Sequence, residues 1–424
     1  MDQRGFDNQR SEGSTEHVSA QEAARLLGVK LQTLYAYTSR GLVRSTAGPR
    51  GPARVYLRAD LERLKARVEA RAGHGPVAAG ALRWGEPVLS TAISAIRETG
   101  PDYRGLAAVQ LATDGVSFEA VADLLWTGTL GAKKLTWSVD GVAAALRSVR
   151  ATLAGGAGPL EAMLAAVPRL ALGDPDRFAA SREEEWARAR RLVRVLAAAV
   201  GSARGEDVAV AAARQPSVAS SLAVAFGLSP RAARGVIDRT LVLAADHELN
   251  ASTFAARVVA STGADLYACL TGALAALTGP LHGAASDRVE SLVDEVGVPE
   301  RAREVICARA GRGDAIPGFG HRLYPGGDPR VPPMLQALQG ASLDARGRRE
   351  RALVMALCEA MARGRREPPN LDLGLVAVRR ALGIPRRGGS TLFAIGRIAG
   401  WVAHAIEQRE AGYLLRPRAE YVGP

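Results

Sequence analysis

The chain has 424 residues, 47% of them hydrophobic and 23% charged, which is typical of a soluble globular protein with two or three domains. No apolar run approaches the roughly 18 residues of a membrane-spanning helix, and the polar first sixteen residues lack the apolar core of a secretory signal. The net charge of +12 suits an anionic partner, although a solvated arginine-rich surface would give the same total. We therefore expect a cytoplasmic protein without a membrane partner.

Helix is the favoured secondary structure. Aromatic residues make up 5% of the chain, β-branched runs are few, and leucine, alanine and arginine dominate. The three cysteines, Cys269, Cys307 and Cys358, lie in apolar helical patterns without metal-like spacing. We predict that all three are reduced core residues, and no metal site is predicted.

A compact helical unit is predicted over residues 17–71, after a disordered tail of residues 1–16. Ser19 followed by Glu22 predicts a capped helix, AQEAARLLG, that ends at Gly28. A tight turn then leads to a second predicted helix, KLQTLYAYTSRG, and the pair is typical of a helix-turn-helix.

The rest of this unit has the pattern of a wing. Strand-like pieces around Val43 and at Val55 and Tyr56 flank a basic Gly/Pro loop, and DLERLKARVEAR is predicted as a third helix. EAARLLGV, TLYAYTSRGLV and RVYLRADLERL resemble the small winged helix-turn-helix of the MerR and excisionase group. The resemblance implies that this unit binds DNA.

Charge supports DNA as a partner of this unit. Between Ala20 and Ala72 there are eleven basic and four acidic residues, so this stretch holds +7 of the chain's net +12. The resemblance implies that four side chains face the major groove of DNA: Lys30, Gln32, Thr33 and Tyr35. It also implies that Arg50 and Arg54, on the wing, contact the DNA backbone. The alternative is a helical interaction module that has lost DNA binding.

A Gly/Ala/Pro linker, residues 72–83, separates this unit from a larger region. Apolar residues recur there at helical spacing to about Arg409, and Ser229 before Pro230 is a typical helix start. Three predicted loops interrupt the helices, at residues 155–158, 173–176 and 215–216. The region is predicted to be all-α, with small residues at its helix contacts.

The segment from Ile316 to Arg330, IPGFGHRLYPGGDPR, is predicted to be a shaped loop. It holds four glycines and three prolines, which exclude a regular helix or a central strand. His321 lies in its middle with a glycine beside it, so a ligand can approach the backbone closely. Arg330 ends it with a guanidinium that suits a carboxylate or a phosphate. We interpret the loop as a site for an anionic substrate.

Three of the six histidines lie in unusual sequence contexts. His247 is in DHELNASTFAARVVAST, His282 is in LTGPLHGAASDRV, and His321 is in the loop. A single histidine is usually structural, but three in glycine-, proline- or amide-rich settings within about 75 positions indicate a functional site.

Five motifs carry a close resemblance to a known family. HELNASTFAARV, GPLHGAASDRV, PGFGHRLYPGGDPR, PNLDLG and RIAGWVAHAIEQ, in that order, resemble the citrate synthase family from about Trp84 to the C-terminus. The resemblance implies an all-α citrate synthase fold with a large and a small helical domain. It places the large domain at residues 84–282, the small domain at 283–385 and the C-terminal part of the large domain at 386–424.

The resemblance implies a Claisen-type condensation of acetyl-CoA with oxaloacetate. Asp372 of the PN-x-D motif would remove the methyl proton, His282 would hold the thioester, and His321 would protonate the oxaloacetate carbonyl. The methyl proton is weakly acidic, so the thioester oxygen must be hydrogen-bonded as charge develops on it. Citryl-CoA would then be hydrolysed to citrate and CoA. Acetyl-CoA is thus a co-substrate, and no tightly bound cofactor is implied.

Oxaloacetate carries two carboxylates, for which arginine forks are natural partners. Family correspondence predicts substrate contacts from His247, Arg330, Arg397 and Arg416. The last of these would come from the partner subunit, which implies a homodimer, and Arg418 in the same RPR tripeptide competes for the role. CoA would lie along residues 317–324, and the residues assigned to it are Pro317, Gly318, Gly320 and Arg322.

The chain departs from the family pattern near the acyl group. GAASDR stands where the family often has GGANE, and LGLVAV follows Asp372 where the family often has an aromatic residue and a serine. These changes alter the acyl-chain pocket, so a 2-methylcitrate synthase that uses propionyl-CoA remains an alternative. A further alternative is a DNA-binding regulator that senses citrate, oxaloacetate or acyl-CoA through a slow or inactive core.

Overall fold

The computed structural model describes residues 17–39, 42–47, 54–58, 60–61, 64, 89–153, 158–178, 181–364, 366–417, 419, 421 and 423. The chain divides into two compact units, residues 1–90 with 418–424, and residues 91–417. The predicted tail, the linker, Arg50 and most of the third predicted helix lie outside the described residues. The boundaries predicted between large and small domains stay predictions.

The N-terminal unit contains the two predicted helices, α1 (Ala20–Leu27) and α2 (Leu31–Ser39). The Ser19 hydroxyl accepts a hydrogen bond from the backbone N–H of Glu22 at 3.2 Å, so the predicted cap is confirmed. The first helix ends at Gly28, which takes a left-handed conformation with φ of 63°. The second helix ends at Ser39, and Gly41, the predicted stop, lies outside the described residues.

A three-stranded antiparallel sheet completes the described part of this unit. Its strands are β1 (His17–Ser19), β2 (Ser45–Ala47) and β3 (Arg54–Leu57), in the order β1-β3-β2. The prediction was right for Val55 and Tyr56 but wrong for Val43, which precedes β2 and is a core residue with 1% exposure. The strand β1 was not predicted, because three residues are too few to show an alternating pattern.

The second unit begins with a small antiparallel sheet that the sequence did not predict. Its strands are β4 (Ser94–Arg97), β5 (Gly100–Tyr103) and β6 (Leu106–Ala107), which pair in chain order. They are two to four residues long and contain Gly100 and Pro101, both of which weaken any strand signal.

Helices make up the rest of the second unit, as predicted. They are α3 (Ala108–Thr113), α4 (Phe118–Thr127), α5 (Val142–Leu153), α6 (Pro159–Ala171), α7 (Arg182–Ala199), α8 (Glu206–Ala213), α9 (Val218–Ala225), α10 (Pro230–Ala244), α11 (Ala251–Ser261), α12 (Leu266–Leu277), α13 (Ala285–Val296), α14 (Ala302–Arg312), α15 (Val331–Gln339), α16 (Ala345–Arg363), α17 (Leu371–Leu382) and α18 (Gly388–Ala411). Two 3-10 helices, Val200–Arg204 and Pro299–Arg301, precede α8 and α14.

Most of the predicted helix boundaries agree with these elements. The loops predicted at residues 173–176 and 215–216 separate helices, whereas most of 155–158 lies outside the described residues. The helix α10 begins at Pro230 as predicted, although the Ser229 side chain makes no cap hydrogen bond. Proline at the first helical position needs no N–H partner, which is sufficient to start the helix.

The helix α18 lies at the centre of the second unit, and nearly all of its 24 residues are buried. Small residues let it approach α10 closely: a side chain at Gly400 would come within 2.1 Å of the Asp246 carboxylate. The backbone N–H of Gly400 donates to the carbonyl of Ala245 at 3.0 Å. This contact fixes α18 against the segment that follows α10, where His247 lies.

The prediction of three core cysteines is wrong for one of them. Cys269 is buried and Cys358 is half-buried, but Cys307 is exposed. Cys307 lies on α14, which has few buried residues and an exposed outer face, so its apolar neighbours in sequence do not surround it. In the described part of the chain, no helix is both long and apolar enough to cross a membrane.

Candidate active site

The predicted loop, Ile316 to Arg330, contains no helix or strand and packs against the segment that precedes α17. The Gly320 N–H donates to the Pro368 carbonyl at 2.8 Å, and the Asn370 N–H donates to the Gly318 carbonyl at 2.9 Å. Gly320 has a φ of 78°, and a side chain there would meet the Glu367 carboxylate. Glycine therefore allows the loop to lie directly against the segment that carries Asp372.

His321 lies half-buried in this loop with a defined tautomer. Its Nδ1 accepts a hydrogen bond from the backbone N–H of Leu323 at 3.1 Å, so the neutral ring carries its hydrogen on Nε2. Burial lowers the pKa of His321, and the charge of Arg330 acts in the same direction against the opposing effect of Asp328. At neutral pH the ring can therefore donate from Nε2 to a carbonyl oxygen.

His247 faces His321 from the turn between α10 and α11. The two ring centroids are 5.5 Å apart, and the Nε2 of His247 is hydrogen-bonded to the Tyr324 hydroxyl at 3.0 Å. Burial, followed by the charges of Arg330 and Arg397, holds the pKa of His247 well below its ordinary value. The ring is neutral, so it adds hydrogen-bonding capacity to the site without adding charge.

Arg330 is buried but has a counter-ion in its own loop. Its Nε and Nη2 donate to the two carboxylate oxygens of Asp328 at 2.9 and 2.7 Å. Burial works to raise the pKa of Asp328, but the charge and hydrogen bonds of Arg330 hold that pKa below its ordinary value. The pair is therefore ionised, and Arg330 is held in one orientation with Nη1 outside the fork.

Arg397 on α18 is fully buried and lacks such a counter-ion. Its Nε donates to the Ala244 carbonyl at 2.7 Å, while Nη1 and Nη2 have no hydrogen-bond partner among the described residues. Its guanidinium lies over the Phe393 ring, 4.6 Å from the ring centroid. Burial lowers the pKa of Arg397 to about 10, so the group still carries its charge at neutral pH. A buried cation with open donors is a strong binding site for an oxyanion.

His282 lies in the turn before α13, on the other side of Phe393. The ring centroids of His282 and Phe393 are 6.0 Å apart, and the Nε2 of His282 is 2.8 Å from the Ser252 hydroxyl. Burial lowers the pKa of His282 to about 4, and Arg397 acts in the same direction. The imidazole is therefore neutral and can act as a hydrogen-bond donor or acceptor.

The direction in which the Ser252 hydroxyl donates its hydrogen decides which nitrogen of His282 is protonated. It accepts from the Trp401 indole N–H at 3.1 Å, and its own hydrogen has two possible acceptors, His282 Nε2 and the Asn250 side-chain oxygen at 2.8 Å. When Ser252 donates to Nε2, the ring carries its hydrogen on Nδ1 and can donate it to a ligand. The Asn250 oxygen still accepts from the Thr253 N–H at 3.1 Å in that arrangement.

Asp372 lies in the first turn of α17, behind the cap residue Asn370. Its Oδ1 accepts a hydrogen bond from the Ser286 hydroxyl at 2.7 Å. Burial raises the pKa of Asp372, and the Ser286 hydrogen bond and the charge of Arg330 oppose that effect. Asp372 is half-buried, and a carboxylate with a raised pKa is a stronger base than an ordinary exposed one, which suits proton abstraction from carbon.

The structure brings most of the predicted site residues together. Tyr324 contacts His247 and His321 and lies 5.9 Å below the Arg330 guanidinium, whereas Phe393 contacts His282 and Arg397. Arg416 is exposed, and within the described part of the chain no hydrogen bond or ion pair joins it to the site. Its predicted origin in the partner subunit stays a prediction.

The residues assigned to CoA lie on the loop, but two of them are engaged within the chain. The backbone carbonyls of Gly318 and Gly320 accept from Asn370, and the Gly320 N–H is bonded to Pro368. Pro317 is half-buried and Arg322 is exposed. These two glycines shape the loop in this conformation, and the CoA contacts remain predictions.

Several residues of the site were not predicted. They are Asn250, Ser252, Ser286, Tyr324, Asp328 and Phe393. Ser252 and Asn250 lie within the HELNAST motif, and Ser286 lies one helical turn after His282, so helical spacing would have placed them on the same side as the histidines.

A buried polar network lies behind His247. The neighbouring Asp246 accepts from Ser94 and from the Nε2 of His404 at 3.3 Å, and Arg257 lies 3.2 Å from the Nδ1 of that histidine. His404 is fully buried, and its contact with Arg257 joins α18 to α11. The network holds the turn that carries His247.

In the N-terminal unit the predicted DNA-facing residues that the structure describes lie on or beside α2 and at the start of β3, and Arg50 lies outside the described residues. Lys30, Gln32 and Tyr35 are exposed and Thr33 is half-buried. Arg54, exposed at the start of β3, donates from Nη1 to the Ser45 hydroxyl on β2 at 2.9 Å. Tyr35 is 52% exposed, so its ring is available to contact a binding partner.

Comparison with known proteins yields two family matches. Residues 81–418 match the model of the citrate synthase C-terminal domain, and residues 18–75 match that of the MerR HTH family of regulatory proteins.

The curated relatives include proteins with two different names. The chain is 35% identical over 356 residues to a 2-methylcitrate synthase of Mycobacterium tuberculosis, covering 80% of this chain and 89% of that one. It is also 35% identical over 352 residues to a citrate synthase of Mycolicibacterium smegmatis, covering 80% and 94%.

Solved structures show the same similarity. Citrate synthase from Thermotoga maritima matches with a TM-score of 0.65 and 28% identity, covering 80% of this chain and 94% of that one. A ternary complex of carboxymethyl coenzyme A and oxaloacetate with the citrate synthase of Thermoplasma acidophilum has the same TM-score and coverage at 26% identity.

Proposed function

The chain belongs to the citrate synthase family and carries an N-terminal MerR-type helix-turn-helix, and on that premise we propose that it condenses acetyl-CoA with oxaloacetate to give citrate and CoA. The observation that supports this proposal best is the open guanidinium fork of Arg397. It is a buried cation with two donors that have no partner and with no direct ion pair among the described residues, and it acts on the same site as Arg330 and two neutral histidines. That combination suits a small dicarboxylate with a carbonyl group to be polarised.

Oxaloacetate would be held by its charges and oriented by its keto group. One carboxylate would meet Nη1 and Nη2 of Arg397, and the other would meet Arg330, whose orientation Asp328 already fixes. The Nε2 hydrogen of His321 would then be directed to the keto oxygen. His247 would give a further hydrogen bond without adding positive charge.

The carbon–carbon bond would form in two linked steps. Asp372 takes a proton from the acyl α-carbon while the Nδ1 hydrogen of His282 stabilises the charge that develops on the thioester oxygen. The α-carbon of this enolate then attacks the keto carbon of oxaloacetate. The keto oxygen receives the Nε2 proton of His321, and the proton taken by Asp372 is returned to His321 through water before the next turnover, so that both groups regain their starting forms.

Hydrolysis of the thioester would complete the reaction. Water attacks the citryl-CoA carbonyl, the carbon–sulfur bond breaks, and CoA leaves as the thiol. The released thiol provides the assay: purified full-length protein should release CoA from acetyl-CoA only when oxaloacetate is present. No release by the wild type, or unchanged release by Asp372→Ala, would contradict the proposal.

A second candidate has the same chemistry and a longer acyl group. Relatives that are 32 to 35% identical are named 2-methylcitrate synthase, and LGLVAV follows Asp372 where the family often has an aromatic residue and a serine. Propionyl-CoA adds one methylene, which is worth about 1–3 kcal/mol of discrimination in an apolar pocket. The ratio of kcat/KM for the two acyl-CoAs decides between them, and a clear preference for acetyl-CoA removes this candidate.

The predicted homodimer can be tested through Arg416. If its guanidinium serves the partner's site, Asp372→Asn and Arg416→Ala would each inactivate the protein alone. A mixed dimer of the two variants would contain one site with both native residues and would recover up to half the activity per mixed dimer. Failure to recover activity after subunit exchange would place Arg416 outside the partner's site.

DNA binding by the N-terminal unit is a further proposed function, compatible with catalysis. It is supported by the MerR match and by the exposed side chains along α2 and the wing. The full-length protein should bind duplex DNA with an affinity that falls steeply as salt rises. Two measurements test whether the second unit reports on its substrates: DNA affinity with and without acyl-CoA, and CoA release with and without DNA.

A further inference from the structure

Ser286 contacts the proposed catalytic base directly. It lies in the first turn of α13 with 3% exposure, and its hydroxyl donates to the Oδ1 of Asp372 at 2.7 Å. Ser286 is one of the positions at which this chain departs from the family pattern, since GAASDR replaces GGANE. The departure therefore lies against the base rather than only along the acyl chain.

The contact links the first turns of α13 and α17, two helices that the Glu290–Arg379 ion pair also joins. His282 lies in the turn before α13, and Ser286 follows it by four residues in the first turn of that helix. Ser286 and Asp372 both fall in the predicted small domain, residues 283–385. The hydrogen bond would therefore be kept if that domain moves as one body.

The hydrogen bond from Ser286 has two effects on the Asp372 carboxylate. It occupies Oδ1, so Oδ2 is the oxygen that can take a proton from substrate. It also stabilises the charged form of Asp372 against the effect of burial. The other groups that act on this carboxylate are Arg330 and Arg288, which favour the charged form, and Asp328, which disfavours it.

We propose that Ser286 is a positioning residue that presents Oδ2 of Asp372 to the acyl-CoA and keeps this half-buried carboxylate ionised at neutral pH. The proposal rests on the proposed condensation for the identity of the substrate. Its structural content, that Ser286 orients and acidifies Asp372, does not depend on which acyl-CoA is used.

The test titrates Asp372 in full-length protein by isotope-edited infrared spectroscopy, with the Asp372→Asn spectrum subtracted to isolate its band. In Ser286→Ala the titration midpoint should rise by about one pH unit, because a hydrogen bond to a charged group is lost. Ser286→Cys has nearly the native volume and a weak donor, so it should give a smaller rise. Ser286→Thr keeps the hydroxyl and should restore the wild-type midpoint.

Kinetics give the second readout. In Ser286→Ala the acid limb of the pH profile for kcat should move to higher pH, kcat should fall about tenfold, and KM for oxaloacetate should stay within twofold. Ser291→Ala is the matched control, since that hydroxyl bonds the Asp287 carbonyl on the exposed face of the same helix.

The outcomes separate the two proposals. If the midpoint of Asp372 is the same in the wild type, Ser286→Ala and Ser286→Cys, the inference is overturned whatever the activity. If the midpoint rises but the wild type condenses neither acetyl-CoA nor propionyl-CoA, the proposed function fails and the role of Ser286 stands. A fall in kcat without displacement of the pH profile would reduce Ser286 to a packing residue and overturn the proposal.

Discussion

The basic side chains of the N-terminal unit and those of the candidate active site lie in opposite environments. In the N-terminal unit, Arg44 has a side chain that is 72% exposed, and Arg54 stands exposed on the wing. In the second unit, Arg330 and Arg397 are 2% and 0% exposed. Water and salt screen the first kind of charge, whereas the second kind has lost its hydration and depends on one partner. Exposed charge suits a long polyanion, and buried charge suits one small anion.

A further contrast lies between the two buried arginines of the candidate site. Arg330 forms an ion pair with Asp328, whereas Arg397 forms no ion pair among the described residues: its Nε donates to the Ala244 carbonyl, its guanidinium lies over the Phe393 ring, and Asp246 acts on it only at longer range. The fold therefore neutralises one cation itself and leaves the other for a ligand. Substitutions should consequently have very different effects in the two units, and also at these two positions.

The largest expected effect is on kcat, because the Asp372 carboxylate takes part in the chemistry. Asp372→Asn keeps the shape of the side chain but removes the base, so kcat should fall by about 10³-fold. Binding of oxaloacetate, measured as thermal stabilisation of the protein, should persist because Arg330 and Arg397 are intact. Asp314→Asn, on an exposed carboxylate paired with Arg312, is the control and should retain full activity. Residual activity above one tenth in Asp372→Asn would contradict its assignment as base.

The next largest effect is on stability and separates the two buried arginines. Arg330→Leu leaves the Asp328 carboxylate buried without its cation, which should cost about 3–5 kcal/mol in urea unfolding. Arg397→Leu removes a buried charge that makes no direct ion pair, and Asp246 keeps its hydrogen bonds from Ser94 and His404, so the ligand-free protein should lose less stability than Arg330→Leu does. Both variants should lose stabilisation by oxaloacetate. Equal destabilisation by the two substitutions would contradict the contrast drawn between them.

The sequence could predict which side chains form the site, but not which neighbouring groups pair with each buried charge. His321 and Arg330 were recognisable from the glycine- and proline-rich loop, and Asp372 from its motif. The pairing of Arg330 with Asp328, two positions earlier, depends on a loop conformation that no periodicity encodes. The open fork of Arg397 depends on packing against α10, more than 150 residues away in sequence.

The fold shows the same division. Long amphipathic helices such as α10 follow from hydrophobic periodicity, so the all-α prediction is confirmed. The strands β1 and β4 to β6 are two to four residues long and form only through pairing with a neighbour, which a local pattern does not reveal. Cys307 shows the converse case, since apolar neighbours in sequence did not imply burial in space.

A smaller effect is expected from pH, through the neutral histidines. Burial lowers the pKa of His282 to about 4, below the value of about 6.5 in an unfolded chain. The unfolded state then binds more protons between these pH values, so this contribution to stability is complete above pH 6.5 and is lost as pH falls toward 4. The loss is at most about 1.4 kcal/mol per pH unit for each such histidine.

Urea unfolding at pH 7 and pH 5 measures this effect. His282→Gln cannot take up the proton, so it should lose less stability than the wild type between the two pH values. The pKa of His247 is also lowered, and His247→Gln should reduce the remaining pH dependence. If both variants keep the full pH dependence, the two rings are not the neutral buried groups described above.

The smallest expected effect lies in the N-terminal unit, where charge is exposed. Arg54→Ala removes one cation that the Ser45 hydroxyl holds on the wing. If this side chain contacts a DNA phosphate, the slope of log K against log salt should become shallower by about one, with stability changed by less than about 0.5 kcal/mol. Arg312→Ala, an exposed arginine of the second unit, should leave the slope unchanged. Equal changes in both variants would mean that DNA affinity depends on net charge alone, and the wing would then have no specific role in binding.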